Sequence, residues 1–156
     1  MSTYRLKNLL APRSLALVGA NPRQASVGRS VLRNILGAKF EGQFGLVNTH
    51  YAEVDGVATV RGLSKLPFVP ELVVITAPAA VVPGLIEEAG RLGSAGAVII
   101  PAGLGHGAGS LAEATEAAAR KYGMRLIGPN CLGIMMPYAD LNASLPRIRR
   151  LREIWR

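Results

Sequence analysis

Along the chain, short apolar runs alternate with stretches in which apolar residues recur at helical spacing. Ser14–Ala20 (SLALVGA) reads as a buried strand, and 27–40 (VGRSVLRNILGAKF) as a helix with Val27, Val31, Leu32 and Ile35 on one face. Strand character returns in 43–48 (QFGLVN). A short edge piece at 56–62 (GVATVRG) and a single turn at 62–67 (GLSKLP) follow it. Residues 71–77 (ELVVITA) are apolar without alternation, as burial on both faces of a parallel sheet requires. The same strand–helix cycle repeats in 78–94 (helix), 95–102 (strand, AGAVIIPA), 109–123 (helix) and 124–128 (strand, MRLIG). Pro83 is compatible with a helix that begins just before it. This order predicts an α/β protein: a Rossmann-like, doubly wound, mainly parallel sheet with helices on both faces. Ligands of such sheets lie beyond the carboxyl ends of the strands, so the strand exits are where chemistry is sought.

Composition changes this picture little. The chain has 156 residues, 49% of them hydrophobic, with 18 glycines and 5% aromatics, which suits one glycine-rich α/β domain. No apolar run is long enough to span a bilayer and the start carries no long apolar leader, so a soluble, cytoplasmic protein is expected. The lone Cys131 has neither a disulfide partner nor a zinc-type spacing. Although the formal charge is +8, the tail 146–156 (PRIRRLREIWR) holds five arginines against one glutamate. The body is therefore only mildly basic; the absence of a nucleic-acid motif disfavours nucleic acid, and such a body fits a phosphate-bearing small molecule equally well.

The first exit runs from Gly19 through Ala20 and Asn21 to Ser26, Val27 and Gly28. Gly19 allows a sharp turn off the strand, Ser26 stands where a helix N-cap belongs, and backbone N–H groups at the positive helix end suit a pyrophosphate. A glycine here is also what any strand–helix turn needs. The spacing G-x8-G is not the dinucleotide fingerprint G-x-G-x-x-G. At the second exit an NAD enzyme would place an acid against the ribose; here Asn48 stands, followed by His50, a combination that tolerates a phosphorylated ribose better. The third exit, around Ala77 and Pro78, is small and apolar. The fourth, 99–110 (IIPAGLGHGAGS), is rich in glycine and contains His106, which no motif ties to a nucleophile or acid. In the last, 125–137 (RLIGPNCLGIMMP), Gly128-Pro129 enforces a turn, Asn130 can both donate and accept, and Cys131 most simply packs as a small hydrophobe.

Taken in order, SLALVGAN…SVGRSVLRNIL, GLVNTHY, ELVVITAPAAVVPGLIEEAG, GAVIIPAGLG and RLIGPNCLGIMMP resemble the N-terminal CoA-binding domain of NDP-forming acyl-CoA synthetases. That domain is similar to the α subunit of succinyl-CoA synthetase and also heads some GNAT-type protein lysine acetyltransferases. The resemblance covers about residues 6–145, giving a domain over 1–145 and a separate basic tail over 146–156. It implies CoA or acyl-CoA as ligand, with phosphates on Gly19, Ala20, Asn21, Ser26, Val27 and Gly28 and a basic contact at His50 and Tyr51, beside Asn48. It further implies that Ala77 and Pro78 hold the nucleotide and that Ile100, Pro101, Ala102 and Gly103 face the pantetheine arm. Asn130 and Cys131 would lie toward the thioester. Implied partners are an ATP-grasp domain or subunit, or an acetyltransferase domain for which the module senses acyl-CoA; self-association stays open.

Two departures stand out. Relatives read VNPKY where this chain reads VNTHY, so a proline and a permanent charge are missing. The phosphohistidine of the resembled enzymes belongs to a second domain, and neither His50 nor His106 takes its place, so no catalytic residue is expected in this chain alone. The rival of a different class is an NAD(P)-binding oxidoreductase domain, disfavoured by the first loop and by Asn48.

Overall fold

The computed structural model describes residues 4–145; the basic segment 146–156 lies outside the described residues. The chain opens with a short helix α1 (Leu6–Leu10), strand β1 (Ser14–Val18), helix α2 (Val27–Ala38) and strand β2 (Gln43–Val47). A hairpin of β3 (Glu53–Val54) and β4 (Val57–Val60) follows, then β5 (Leu72–Ile75), α3 (Val82–Leu92), β6 (Gly96–Ile99), α4 (Leu111–Lys121) and β7 (Arg125–Ile127). A second hairpin, β8 (Gly133–Met136) and β9 (Leu141–Ser144), ends the described chain.

Seven strands form one sheet in the order β3-β4-β2-β1-β5-β6-β7, parallel except for β3 at the edge. Val18 is level with both Val47 and Ile75, and Ile75 with Ile99, so the central strands end along one rim. The order reverses at β1: the chain steps to β2 and β4 on one side and to β5, β6 and β7 on the other. This is the switch point where a crevice opens in doubly wound sheets.

Successive side chains of the strands feed two cores. On one face Leu15, Leu17, Leu46, Leu72 and Val74 meet Val31, Leu32 and Ile35 of α2; on the other Ala16, Val18, Val73, Ile75 and Ile99 meet Val82, Ile86 and Ala89 of α3 and Ala119 of α4. Each large side chain buried this way contributes about 1.5–3 kcal/mol. The expected Rossmann-like fold is present, and α3 begins at Val82 with Pro83 in its first turn.

Three elements were not anticipated from the sequence: α1, the antiparallel β3, and the β8–β9 hairpin beyond the strand expected to close the fold. That hairpin places Met136, Leu141 and Ala143 in the α2-side core. The stretch 56–62, expected at the edge, holds β4 one place in, because β3 folds back outside it.

The β3–β4 turn, Asp55-Gly56, has φ of 48° and 81°, the paired positive values of a tight hairpin. Its Asp55 carboxylate accepts from Arg29 Nε at 2.8 Å and from Arg33 Nε at 2.8 Å, tying the hairpin to α2. These bonds, Arg29 foremost, hold the Asp55 carboxyl down at about 2. A carboxyl with a lower pKa in the folded state stabilises the fold above its unfolded pKa, near about 4, and loses that contribution as pH falls through the folded value. The wild type is therefore expected to lose more thermal stability than Asp55→Asn between about pH 4 and pH 2. Thermal melts at stepped pH check this, and parallel curves for the two proteins would contradict it.

Candidate functional site

At the switch point the exits of β1 and β5 touch. Gly19 (φ +94°) donates its N–H to Val47 O at 3.1 Å, and a Cβ there would lie 2.5 Å from Ala77 N. Gly28, in the first turn of α2, is equally close-packed: a Cβ would lie 2.6 Å from Ala20 Cα and 2.7 Å from Thr76 Oγ1. Its smallness lets the helix seat on the strand ends. Ala20 is fully buried between them.

The loop between these glycines is shaped from within. Asn21 Oδ1 accepts from Arg23 N at 3.0 Å; Ser26 Oγ donates to Asn21 O at 3.2 Å and accepts from Arg29 N at 3.3 Å. Ser26 is thus the N-cap expected of it. No acidic residue stands in the first turn of α2. At α4, by contrast, Glu113 accepts from Gly109 N at 2.7 Å while Ser110 caps Glu113 N at 3.1 Å. The positive end of α4 is answered by its own side chain, whereas α2 leaves its field and its exposed Val27 open at the rim.

Asn48 at the β2 exit is buried, with its amide turned inward. Nδ2 donates to Ala20 O at 2.6 Å, and Oδ1 accepts from His50 N at 2.7 Å and Tyr51 N at 3.0 Å. This residue fastens the second exit to the first loop. Beyond it Thr49 and His50 are exposed, joined by a 3.0 Å contact between Thr49 Oγ1 and His50 Nδ1, while Tyr51 leans on the α2-side core. Arg61, at the carboxyl end of β4, donates to the Thr49 carbonyl from the side. Nothing in the linear order of residues singles Arg61 out; only the β2–β4 pairing brings it there.

At the remaining exits Ala77 and Ile100 are buried, whereas Pro78, Ala102, Gly103 and Asn130 are exposed. Asn130 N donates to Pro101 O at 3.1 Å, joining the β6 and β7 exits. Cys131 is half-buried, its thiol donating to Ile99 O at 3.3 Å. The thiol points into the fold, as a packing residue would. Among the described residues no group of three His, Cys, Asp or Glu side chains could hold a metal ion.

The candidate residues therefore form two layers. Ala20, Gly28, Asn48, Ala77 and Ile100 back the rim, and their main chains or neighbours set its shape. Val27, His50, Pro78, Ala102, Gly103 and Asn130 border solvent, with Gly19, Asn21, Ser26, Tyr51, Pro101 and Cys131 half-buried between the layers. A cavity of about 470 Å³ lies elsewhere, against Pro12, Phe40, Gln43 and Tyr138 at the amino ends of β1 and β2. It contains none of these residues.

Residues 13–137 match the family described as CoA binding domain. The acetate–CoA ligase [ADP-forming] of Methanocaldococcus jannaschii is 36% identical over 146 residues, a match covering 93% of this chain and 20% of that protein. The acetate–CoA ligase [ADP-forming] II subunit alpha of Pyrococcus furiosus is 38% identical over 137 residues, covering 85% of this chain and 30% of that one. Among solved structures, the dinucleotide forming acetyl-coenzyme A synthetase 1 of Ca. Korarchaeum cryptofilum, in complex with phosphate and ADP, superposes with a TM-score of 0.83 at 32% identity. That match covers 91% of this chain and 31% of the other. The chain thus spans between about a fifth and a third of these relatives.

Proposed function

The chain belongs to the CoA binding domain family, and on that premise we propose that its strand exits are the thioester-holding half of an ADP-forming acyl-CoA synthetase, taking CoA and acyl-CoA. The observation that carries this reading is the α2 N-terminus, uncompensated by any acid of its own first turn and set over the switch point. An anion lying there meets main-chain N–H groups and a favourable helix field. In this reading the pyrophosphate lies along Asn21–Gly28, with the ribose of the nucleotide at the second exit and its base toward Pro78. The pantetheine arm runs over Pro101–Gly103 to Asn130 and Cys131. Residues 1–145 act as the binding module, and the basic 146–156 segment is separate from it.

In that reaction the thioester C–S bond is exchanged for a bond to phosphate, and the phosphoryl group then passes by way of a histidine to a nucleoside diphosphate. The residues of this module would hold and orient CoA, and the phosphoryl transfers would fall to a partner of the ATP-grasp type. The Pyrococcus relative being named a subunit alpha supports a partner that can be a separate chain. An acetyltransferase partner is less well supported, since the relatives above are ligases or synthetases.

The chain alone, given acetyl-CoA, ADP, magnesium and phosphate, is expected to make no ATP and to transfer no acyl group. Cys131 is the one thiol that could rescue activity, but its hydrogen is engaged with Ile99 O. ATP formation, or acyl transfer abolished by Cys131→Ser, would overturn the view of this chain as a binding module.

A further inference from the structure

Four cations of the described residues are paired with carboxylates: Arg13 with Glu71, Arg29 and Arg33 with Asp55, and Lys121 with Glu87. Arg61 is not among them, and what sets it apart is its place. It is exposed at the ligand rim, has no carboxylate within salt-bridge distance among the described residues, and spends one N–H on the Thr49 carbonyl. A guanidinium has five donors in a rigid fork, so this single bond fixes the group while leaving the rest of the fork for another acceptor.

Its neighbours point to the same kind of ligand. β2 and β4 run parallel with Val47 level with Val60, so Arg61 stands beside Asn48 and Thr49 at the same height. Thr49 Oγ1 and the His50 ring, joined at 3.0 Å, belong to the residue whose carbonyl Arg61 holds and to the next one, both exposed. Hydroxyl, imidazole and guanidinium are donors suited to phosphate oxygens, and no acidic side chain is bonded to any of them among the described residues. In doubly wound folds the ribose of a bound nucleotide lies at the second exit, and a phosphate carried on that ribose is received by a nearby arginine.

Resting on the CoA reading above, we propose that Arg61, seconded by Thr49 and His50, receives the phosphomonoester on the ribose of CoA and sets a preference for CoA over dephospho-CoA. The fixed charge that 47–51 (VNTHY) lacks is supplied from the neighbouring strand. A dianionic monoester gains more from a held guanidinium than the pyrophosphate does, because the pyrophosphate lies on the α2 side of the crevice. Exposure moderates the effect and makes it fall with added salt.

The test is calorimetric titration of wild type, Arg61→Gln and Arg61→Lys with CoA and with dephospho-CoA at low ionic strength, folding being verified by circular dichroism. Wild type is expected to favour CoA by about tenfold or more, the value of one charge-assisted pair. Arg61→Gln should lower CoA affinity by about the same factor and leave dephospho-CoA within about twofold, with Arg61→Lys keeping part of the preference. Equal losses for both ligands, or an unchanged CoA affinity in Arg61→Gln, would overturn the assignment of Arg61 alone. Wild type binding both ligands equally would do the same. Wild type binding neither would overturn the CoA reading itself, and this assignment with it.

Discussion

Gly28→Val is expected to cost the fold about 3 kcal/mol, before any ligand is considered. The added Cβ would lie 2.6 Å from Ala20 Cα and 2.7 Å from Thr76 Oγ1. Ala20 is fully buried, and its main chain accepts from Asn48 and cannot give way. Relief requires lifting the first turn of α2 off the strand ends, and α2 carries Val31, Leu32 and Ile35 into the core. Helical glycines elsewhere provide the contrast: at Gly37 and Gly84 a Cβ would meet nothing within 4 Å. Alanine at those two positions should be neutral or stabilising by up to about 1 kcal/mol. Denaturant midpoints for the three variants decide the matter. A Gly28→Val protein as stable as wild type would show that α2 does not seat as described.

Gly28 is conspicuous in the sequence, but its close contacts with Ala20 and Thr76 exist only in the fold. β1, β5 and β6 are apolar at nearly every position because both their faces are covered, and such runs are recognisable without a structure. Ser26 announced its cap by residue type and place. The β8–β9 hairpin did not stand out, since two residues of β9 are polar and buried. Asn142 Oδ1 accepts from Ser144 Oγ at 2.6 Å, and Asn34 Nδ2 donates to Ser144 O at 2.8 Å, so their partners make burial tolerable where composition suggested a surface. The β3–β4 hairpin does carry a signal, the Asp-Gly pair between valines, but strands of two and four residues are too short for the pair alone to predict it.

Within the site the limit is similar. The exits were legible as glycine- and proline-bearing strand ends, but the distinction between backing and lining residues was not. Asn48 and His50 both read as polar rim residues, yet the Asn48 amide turns inward to three main-chain partners while His50 stays exposed. Arg61 meets Thr49 across twelve residues of sequence, a neighbour relation that exists only once β4 pairs with β2.

The second large effect is stabilisation by the ligand. A protein that binds CoA only when folded gains RT ln(1 + [L]/Kd), about 2.7 kcal/mol at a hundred times the dissociation constant, so its melting midpoint should climb steadily as CoA is raised. Dinucleotides should give little at the same concentrations, because the first loop lacks the G-x-G-x-x-G turn and the second exit offers Asn48 rather than an acid to the ribose hydroxyls. Calorimetric titration of the wild-type chain with CoA, NADH and NADP, side by side, decides whether the strand exits hold CoA. Saturable CoA binding, stronger than that of either dinucleotide, is expected. Binding of NADH or NADP with none of CoA would contradict it.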